Sequence, residues 1–359
     1  MKKTILHIID DLGRGGAETM LVSVTKQLSD FNNIVVTLFP KNEFGENFHC
    51  TKLICLDLKS NFLIPTAALR LRKIIKENNV DIVHSHLFWS TIVARLGTPK
   101  KIPLITTIHS FVASSLEYTP WRMQIMERLT YKIRKSTIVA VAKGALEEYF
   151  KFIRVRPYKA CSLYTFVDPS VFKEQYNSQK NNDSNDFKII CVGNLKEQKN
   201  HMFLLEAFKE LKHENISLDI YGRGSLKPSL QKIIDEQQLN VTLKGQVTDI
   251  QSRIPEYDLF VMSSLYEGFA LSVLEAMAMR MPLLLSNISS FKEQCADTAL
   301  YYDVRSTKDF LEKLTAVKND KSQLQKMGET AKKRVLENFT LDKHLAQLKC
   351  IYAEAMLAS

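Results

Sequence analysis

The stretch that decides the fold runs from Lys188 to Leu211 and reads KIICVGNLKEQKNHMFLLEAFKEL. Residues 188–192 are mostly apolar and predict a buried strand. Gly193 then permits a turn, and from Met202 onward apolar residues recur three or four positions apart, which is typical of an amphipathic helix. A strand that leads through a glycine turn into a helix is the repeating unit of a parallel α/β sheet.

The same unit repeats along nearly the whole chain. Short apolar runs alternate with helix-length segments, so we predict an α/β protein with parallel sheets covered by helices on both faces. The predicted strands of the first half are Thr4–Ile9, Asn33–Phe39, Lys52–Leu56, Asp81–His84, Pro103–Ile108, Thr137–Val141 and Lys159–Leu163. Those of the second half are Lys188–Val192, Ser217–Tyr221, Val241–Lys244, Leu259–Met262, Pro282–Ser286 and Ala299–Tyr302.

A polar stretch without periodicity, Asn177–Asp186, separates the two runs and is typical of a flexible linker. We therefore expect two doubly wound, Rossmann-like domains that face each other across a cleft. The first spans residues 1–165 and the second residues 187–340, with a linker at 166–186. A last helix at about 341–359 is expected to pack back on the first domain.

The composition excludes several classes of protein. The chain has 359 residues, of which 45% are hydrophobic and 25% charged, as in globular proteins, so a disordered, collagenous or disulfide-stapled chain is not expected. The six cysteines include no C-x-x-C pair, which argues against a zinc or disulfide framework. No apolar run approaches the roughly 18 residues of a spanning helix. Because the N-terminal apolar run stops at Asp10, we interpret it as a strand and expect a soluble, cytoplasmic protein.

The positive charge is confined to the first half. The net charge is +10, and residues 1–170 hold 24 basic and 14 acidic residues, whereas residues 171–359 hold 25 of each. Residues 95–160 alone hold 13 basic and 4 acidic side chains. Either these residues form a basic face that only contacts solvent, or their positive field attracts an anionic lipid or lipid phosphate, or it attracts nucleic acid. Nucleic acid is disfavoured because the basic residues lack interleaved aromatics and a recognition motif.

Ligands of open α/β sheets bind beyond the carboxyl ends of the strands, which makes the residues there candidates. Gly15 and Gly16 follow the first strand and open a helix, where backbone N–H groups favour a phosphate, unless they only form the helix-entry turn. His84 and His86 follow the fourth strand and His109 the fifth, as ligand contacts or as satisfied core histidines. Two histidines could bind a metal, but no third ligand is visible, so no metal site is predicted.

The second half offers a cation and two carboxylates. Lys199 follows the glycine turn after a strand and suits a diphosphate, although a solvated lysine would read the same. In Ser263–Ala278, which reads SSLYEGFALSVLEAMA, Glu267 precedes a helix and Glu275 lies in its first half. Each carboxylate could bridge vicinal hydroxyls. The N–H groups that open this helix are expected to be free for phosphate oxygens; they belong to Phe269, Ala270 and Leu271.

Glu267 and Glu275, with seven residues between them, resemble the E-x7-E signature of the family-4 retaining glycosyltransferases of the GT-B fold. Further motifs of the family recur in the same order over nearly the whole chain. They are Gly15–Glu18 (G-G-x-E), Asp81–His86 (D-V-V-H-x-H), Val167–Phe172 (V-D-x-x-x-F), Tyr221–Leu226 (G-x-G-x-L), Lys244–Val247 and Pro282–Glu293. The chain is similar to the members that build bacterial surface polysaccharides.

The resemblance implies a nucleoside-diphosphate sugar as donor on the second domain and a saccharide or lipid-linked saccharide acceptor on the first, with no metal and no cofactor. The donor-binding residues carried over are Gly16, Asn194, Lys199, Gly245, Val247, Glu267, Phe269, Ala270, Leu271 and Glu275. The implied catalytic residues are Lys199, Glu267 and His109, and the acceptor-side residues are Gly15 and His86. In these roles Glu275 holds the ribose, Lys199 the diphosphate, and Glu267 and His109 the donor sugar.

Asn194 departs from the family, which usually has an arginine there for the diphosphate. A catalytically impaired relative that binds an anionic ligand or nucleic acid therefore remains an alternative. An epimerase would not need the basic half, and a sugar phosphorylase would need a cofactor lysine and a longer chain. Residues 121–135 resemble a basic interfacial helix, which predicts a peripheral place on the anionic inner face of the cell membrane. Alternatively, this is a structural helix whose Arg and Lys face water.

Overall fold

The computed structural model describes residues 2–45, 48–115, 117–172, 186–247 and 249–357. The chain divides into two compact units, Met1–Thr165 with Leu341–Ser359 (unit 1) and Phe166–Thr340 (unit 2). Of the linker expected at 166–186, residues 173–185 lie outside the described residues.

Unit 1 is built on a seven-stranded sheet in the order β3-β2-β1-β4-β5-β6-β7, in which every neighbouring pair is parallel. The strands are β1 Thr4–Ile9, β2 Asn32–Thr37, β3 Lys52–Cys55, β4 Ile82–His86, β5 Leu104–Ile108, β6 Thr137–Ala140 and β7 Lys159–Ser162. The central strands β1, β4 and β5 are buried along their whole length, which explains their apolar sequences. The register places His7 of β1 opposite His84 of β4.

Five helices connect these strands. They are α1 Gly16–Gln27, α2 Ile64–Glu77, α3 Phe88–Gly97, α4 Trp121–Ile133 and α5 Lys143–Ile153. Helix α3 contacts both α2 and α4, and α4 contacts α5. Nearly every residue of α3 is buried, including Arg95.

A buried ion pair joins α3, α4 and α5. Arg95 Nη1 lies 2.8 Å from Glu127 Oε1, and both side chains are completely buried. Tyr149 of α5 donates its hydroxyl to Glu127 Oε1 over 2.5 Å and accepts from Arg95 Nη2 over 3.2 Å. Burial lowers the pKa of the Arg95 guanidinium, but the adjacent Glu127 carboxylate raises it, and the net result lies above the usual value. Removing one partner from such a pair typically costs about 3–5 kcal/mol, so the inner face of α4 is anchored by charge.

Unit 2 contains a six-stranded parallel sheet in the order β10-β9-β8-β11-β12-β13. The strands are β8 Phe187–Val192, β9 Ile216–Tyr221, β10 Val241–Gly245, β11 Leu259–Met262, β12 Leu283–Ser286 and β13 Leu300–Tyr302. The helices are α6 His201–Glu210, α7 Lys227–Gln237, α8 Ile250–Arg253, α9 Leu271–Ala278, α10 Ser289–Cys295, α11 Thr307–Lys318 and α12 Lys321–Asn338. The strand order reverses at β8 and β11, the position where such sheets bind ligands.

The last helix, α13 (Leu341–Leu357), belongs to unit 1 although it follows unit 2 in the chain. Tyr352 and the Nδ1 of His84 lie 2.8 Å apart, and so do His344 Nδ1 and the carbonyl oxygen of Tyr164. Both His344 and Tyr352 are buried. Unit 1 is therefore completed by a segment that lies far from the rest of the unit in sequence.

The predicted doubly wound α/β class is confirmed. Every strand predicted from the apolar runs is present, with ends within two residues of the expected ones. Among the helices of the described ranges, none has the combination of length and apolar character that crossing a bilayer requires.

Candidate active site

The ends of β8 and β11 bring a lysine and a glutamate together in unit 2. Lys199 lies in the 3₁₀ turn Glu197–Lys199 that follows β8, and Glu267 lies between β11 and α9. Lys199 Nζ donates to Glu267 Oε1 over 2.5 Å, and the side chains are only 15% and 7% exposed. The family resemblance assigns Lys199 to the diphosphate and Glu267 to the sugar of a donor, but in this structure the two side chains pair with each other.

Three polar side chains fix this pair. Ser264 Oγ donates to Glu267 Oε1 over 2.6 Å, and Gln198 Nε2 donates to Glu267 Oε2 over 3.4 Å. Ser263 Oγ donates to the backbone oxygen of Lys199 over 2.8 Å, which ties the loop after β8 to the loop after β11. These three supporting residues were not predicted; the signal that could have found them is their position in sequence next to Lys199 and Glu267.

Two glycines make room for the Lys199 side chain and its loop. A Cβ on Gly193 would lie 3.3 Å from the Cδ and Cε of Lys199, so the glycine lets the lysine stem lie along the turn. Gly222 has φ +154°, and a Cβ there would lie 2.0 Å from the carbonyl oxygen of Gly193. Only glycine therefore fits where the loops after β8 and β9 approach each other.

Glu275 of α9 is half-buried, and among the described residues no group pairs with its carboxylate. Burial raises its pKa to about 7, so close to half of the molecules carry a neutral Glu275 at neutral pH. A ligand that donates hydroxyl hydrogen bonds to this group would favour the ionised form.

The N–H group of Ala270 is not free, and the expectation that it is was wrong. Gln294 Oε1 accepts from the Ala270 N–H over 3.1 Å, while Gln294 Nε2 donates to the Ala270 carbonyl over 2.8 Å. Helix α9 begins at Leu271, so the N–H groups that its geometry leaves without an intrahelical acceptor are those of its first turn. Phe269 is buried, with its ring 5.1 Å from that of Phe339. A phosphate at this segment would therefore have to use N–H groups from Leu271 onward.

The other donor-side residues also follow strands of unit 2. Asn194 is half-buried and comes directly after Gly193. Gly245 ends β10 with φ +77°, and its carbonyl accepts from the N–H of Gly222 over 2.8 Å. Val247 is half-buried two residues further on. Because the strands are parallel, all three lie at the sheet edge that carries Lys199.

In unit 1 the glycine pair opens α1. Gly15 is the residue before the helix and Gly16 its first, exposed residue. A Cβ on Gly15 would lie 2.3 Å from Glu18 Oε2, so Gly15 lets the Glu18 carboxylate fold back over the helix start. Burial raises the pKa of Glu18 to about 7. Around Gly16 nothing lies within 4 Å of such a Cβ, so this backbone is open to a ligand.

The histidines form a buried hydrogen-bonded chain. His86 Nδ1 lies 3.1 Å from His109 Nε2, and His86 Nε2 lies 3.4 Å from His7 Nδ1. His84 bonds instead to Tyr352 and, over 2.7 Å, to Thr107 Oγ1. Burial lowers the pKa of His7 to about 4 and that of His109 to about 3, and it lowers those of the other two. The chain is therefore neutral at physiological pH.

No metal site was predicted because the sequence shows no third ligand beside His84 and His86, but the structure brings His7 to them. Nitrogens of His7, His84 and His86 all lie within 4.8 Å of one another. Both ring nitrogens of His84 and both of His86 already have partners, so a metal would have to displace hydrogen bonds that the protein makes with itself. His7 was missed because only the strand register reveals its neighbours.

Comparison with known proteins gives two adjacent family matches. The family described as "Glycosyltransferase Family 4" matches residues 14–171, and the family described as "Glycosyl transferases group 1" matches residues 172–334. The UDP-Gal:alpha-D-GlcNAc-diphosphoundecaprenol alpha-1,3-galactosyltransferase of Escherichia coli is 24% identical over 358 residues, 89% of this chain and 92% of the relative. The capsular polysaccharide biosynthesis glycosyltransferase CapH of Staphylococcus aureus is 26% identical over 303 residues, 80% and 82% of the two chains.

A solved structure supports the fold. HepE of Anabaena in complex with UDP-glucose is similar with a TM-score of 0.84 and 16% identity, over 99% of this chain and 100% of that one. This likeness and the two parallel sheets confirm the GT-B class expected from the sequence. Because the two family matches together run from residue 14 to residue 334, the chain belongs to the group 1, family-4 glycosyltransferases.

Proposed function

We propose that this protein transfers a sugar from a nucleoside-diphosphate sugar to a saccharide or lipid-linked saccharide acceptor, with retention of the anomeric configuration. We further propose that the product belongs to a bacterial surface polysaccharide or glycolipid, as the names of its relatives indicate for those proteins. The observation that carries the proposal is the Lys199–Glu267 pair at the strand-end edge of unit 2. Glu275, in the helix that follows β11, supports it because its carboxylate has no partner among the described residues.

In this proposal each of the three side chains binds one part of the donor. Glu275 accepts hydrogen bonds from the ribose hydroxyls, and Glu267 accepts from hydroxyls of the sugar. Lys199 turns from Glu267 to the diphosphate, where the first-turn N–H groups of α9 assist it. A charge-assisted bond contributes roughly 1.5–3 kcal/mol, enough to offset the loss of the Lys199–Glu267 bond. The negative charge of the donor is met by the protein itself, so the proposal requires no metal and no cofactor.

The reaction follows from these contacts. The bond from the anomeric carbon to the diphosphate oxygen breaks, and the acceptor oxygen forms its bond to the same face of that carbon. The acceptor proton passes to the departing diphosphate, and the electron pair of the broken bond stays on that group. Lys199 and the N–H groups of α9 stabilise the charge that develops there. We assign Lys199, Glu267 and His109 as the residues that contact reacting groups.

The acceptor belongs to unit 1 in this proposal. Gly15 and His86 lie on its strand-end edge, and residues 1–170 carry the whole positive excess of the chain. A basic domain suits an acceptor that carries phosphate, such as a sugar on a lipid diphosphate. We place the protein in the cytoplasm, on the inner face of the membrane, and assign no nucleic-acid partner to it.

Thermal unfolding with UDP, GDP, ADP and CMP, each in excess, tests the donor site. A ligand at 100 times its dissociation constant stabilises the folded state by about 2.7 kcal/mol, which visibly raises the melting temperature. We expect one nucleoside diphosphate to stand out. No shift with any of the four would contradict the proposal and favour the alternative of an impaired relative.

The first transfer assay uses UDP-galactose and GlcNAc-diphosphoundecaprenol, the pair named for the Escherichia coli relative. If another base stands out in the unfolding screen, its nucleotide-sugars replace UDP-galactose. The readout is release of nucleoside diphosphate above the rate of donor hydrolysis measured without acceptor. The anomeric coupling constant of the product, measured by NMR, distinguishes retention from inversion, and an inverted product would overturn the mechanism.

A further inference from the structure

Helix α4 of unit 1 is amphipathic, but its apolar face is exposed and its acidic residue is buried. Four large apolar residues at successive four-residue steps lie on its outer face: Trp121, Ile125, Leu129 and Ile133, which are 65%, 41%, 53% and 65% exposed. We name these four residues the α4 stripe. The inner face carries Glu127, which is completely buried and forms an ion pair with Arg95. A helix of a soluble protein normally shows the opposite arrangement, with the apolar stripe inward.

The stripe is continuous because of the helix geometry. A step of four residues turns about 40° around an α-helix, so the four side chains cover about 120° of the surface and about 20 Å of its length. Monomeric soluble proteins rarely expose apolar patches of this extent without a partner. Trp121 has the apolar body and polar N–H group that suit a boundary between lipid and water.

The exposed charged residues of α4 itself are cations. Arg122 and Lys132 lie on the same exposed face of α4, and Lys135 is exposed just beyond its end. None of these three forms an ion pair among the described residues, and Arg122 lies over the ring of Trp121. The acidic residue of α4 is Glu127, which is buried.

We propose that the α4 stripe inserts into the headgroup region of an anionic lipid membrane, with Arg122, Lys132 and Lys135 on lipid phosphates. An apolar face beside a row of cations is the pattern by which interfacial helices bind such membranes. A second copy of this chain is a poorer occupant because each copy carries a net charge of +10.

The position of α4 agrees with a lipid-linked acceptor, and here the inference rests on the proposed function. Trp121 begins α4 after β5 has ended at Ile108, so the first turn of α4 lies towards the strand-end edge of unit 1. That edge carries Gly15, Gly16 and His86. A sugar on a lipid diphosphate would need to move only from the membrane plane to the adjacent edge of unit 1. Contact with lipid itself stands on α4 alone.

Co-sedimentation of the full chain with vesicles tests the docking surface. The vesicles contain either 30% phosphatidylglycerol in phosphatidylcholine or pure phosphatidylcholine. We expect binding to the anionic vesicles at low salt, at least a tenfold lower partition coefficient on pure phosphatidylcholine, and release in 0.5 M NaCl. Tryptophan emission should shift to the blue on binding, and Trp121→Phe should abolish that shift while Trp89 remains.

Two double variants locate the surface. Ile125→Ser with Leu129→Ser removes the middle of the stripe, and Arg122→Glu with Lys132→Glu reverses its charge. Each should lower the partition coefficient at least tenfold. The matched controls are Leu336→Ser with Leu357→Ser, which are 38% and 88% exposed elsewhere, and Lys321→Glu with Lys326→Glu on α12. Both controls should bind like the unmodified protein.

The outcomes separate this inference from the proposed function. A chain that ignores anionic vesicles at low salt, or stripe variants that bind normally, would overturn the docking surface. A dimer that is detected by analytical ultracentrifugation and that the stripe substitutions dissociate would also overturn the docking surface, because a second copy would then cover the stripe. Vesicle binding without any nucleotide-induced stabilisation would instead preserve the docking surface and contradict the glycosyltransfer proposal.

Discussion

Units 1 and 2 use the same parallel-sheet frame to hold opposite kinds of polar group. At the strand-end edge of unit 2, Lys199 and Glu267 form an ion pair, and in the following helix burial raises the pKa of Glu275 to about 7. At the corresponding edge of unit 1, His86 and His109 are neutral and bonded to each other. The topology fixes where polar groups collect, and burial together with the available partners decides whether they carry charge.

The difference indicates how each edge treats a ligand. In the proposed function, Lys199 of unit 2 must exchange its internal partner Glu267 for the diphosphate of the ligand. Unit 1 presents neutral hydrogen-bonding groups at this edge, while its basic side chains supply a long-range field. Substitutions in unit 2 should therefore change ligand binding strongly, whereas the histidines of unit 1 should reveal themselves through pH-dependent stability.

The largest effect is expected for Lys199→Ala. Removing a group that stabilises the developing charge of the leaving diphosphate should lower kcat about 10²–10³-fold. The nucleotide-induced rise in melting temperature should shrink as well. Steady-state transfer and thermal unfolding measure both quantities.

Lys232→Ala is the control, because Lys232 is an exposed lysine of unit 2 whose ion pair lies on the surface of α7. It should leave transfer unchanged. Transfer by Lys199→Ala at the level of the unmodified protein would remove Lys199 from the site and weaken the contrast between the units.

A gain of affinity is expected for Asn194→Arg. A second cation after β8 would add a charge-assisted bond of roughly 1.5–3 kcal/mol, a factor of about 10–100 in the dissociation constant of the nucleoside diphosphate. Calorimetric titration measures it. Gln325→Arg adds the same charge on the exposed side of α12 and should change the affinity little. Equal gains in the two variants would indicate a general effect of net charge.

Nucleotide affinity should rise with pH because of Glu275. With a pKa of about 7 in the ligand-free protein, the carboxylate is mostly protonated at pH 6 and mostly ionised at pH 8. Ribose hydroxyls favour the ionised form, so binding should release a proton and strengthen about tenfold over this range.

Titrations in buffers of different ionisation enthalpy measure the released proton. The release should vanish in Glu275→Gln and persist in the exposed control Glu312→Gln. If Glu275→Gln released as many protons on nucleotide binding as the unmodified protein, another group would be responsible for the pH dependence.

The smallest effect concerns the histidine chain. The pKa of His7 is lowered to about 4 in the folded protein, so between pH 6.5 and 4 the unfolded chain binds more protons than the folded one. Stability should therefore fall as the pH falls, by about 1.4 kcal/mol per pH unit for each such histidine. Urea unfolding at several pH values measures the slope. His7→Gln should lower the slope by one proton, and the exposed His213→Gln should not; the reverse result would refute a neutral His7.

The strands could be predicted because apolar runs of strand length alternate with helical periodicity, and because turn residues bound each run. The break before α13 was visible at Asn338 and Phe339 for the same reason. The spacing of Glu267 and Glu275 and the glycine turn before Lys199 made these residues candidates, and the structure brings Lys199 and Glu267 together.

The contacts among these residues could not be predicted, because each depends on how distant segments pack. Lys199 and Glu267 are 68 positions apart, and His84 bonds to Tyr352 over 268 positions. Gln294 of α10 accepts a hydrogen bond from the Ala270 N–H, although no local sequence pattern connects α10 with Ala270. For α4 the sequence indicated an amphipathic basic helix, but only the buried Arg95 shows which face is turned inward.

The placement of α13 in unit 1 also sets an order of events during synthesis. The sheet of unit 1 is complete at Ser162, but the Tyr352 partner of His84 is made only after all of unit 2. At roughly 5–20 residues per second, ribosomes need about 10–40 seconds to cover that distance. During this interval His84 and the face that α13 covers are exposed, and unit 2 can fold before unit 1 is finished. Unit 1 therefore begins to fold before unit 2 but is completed after it.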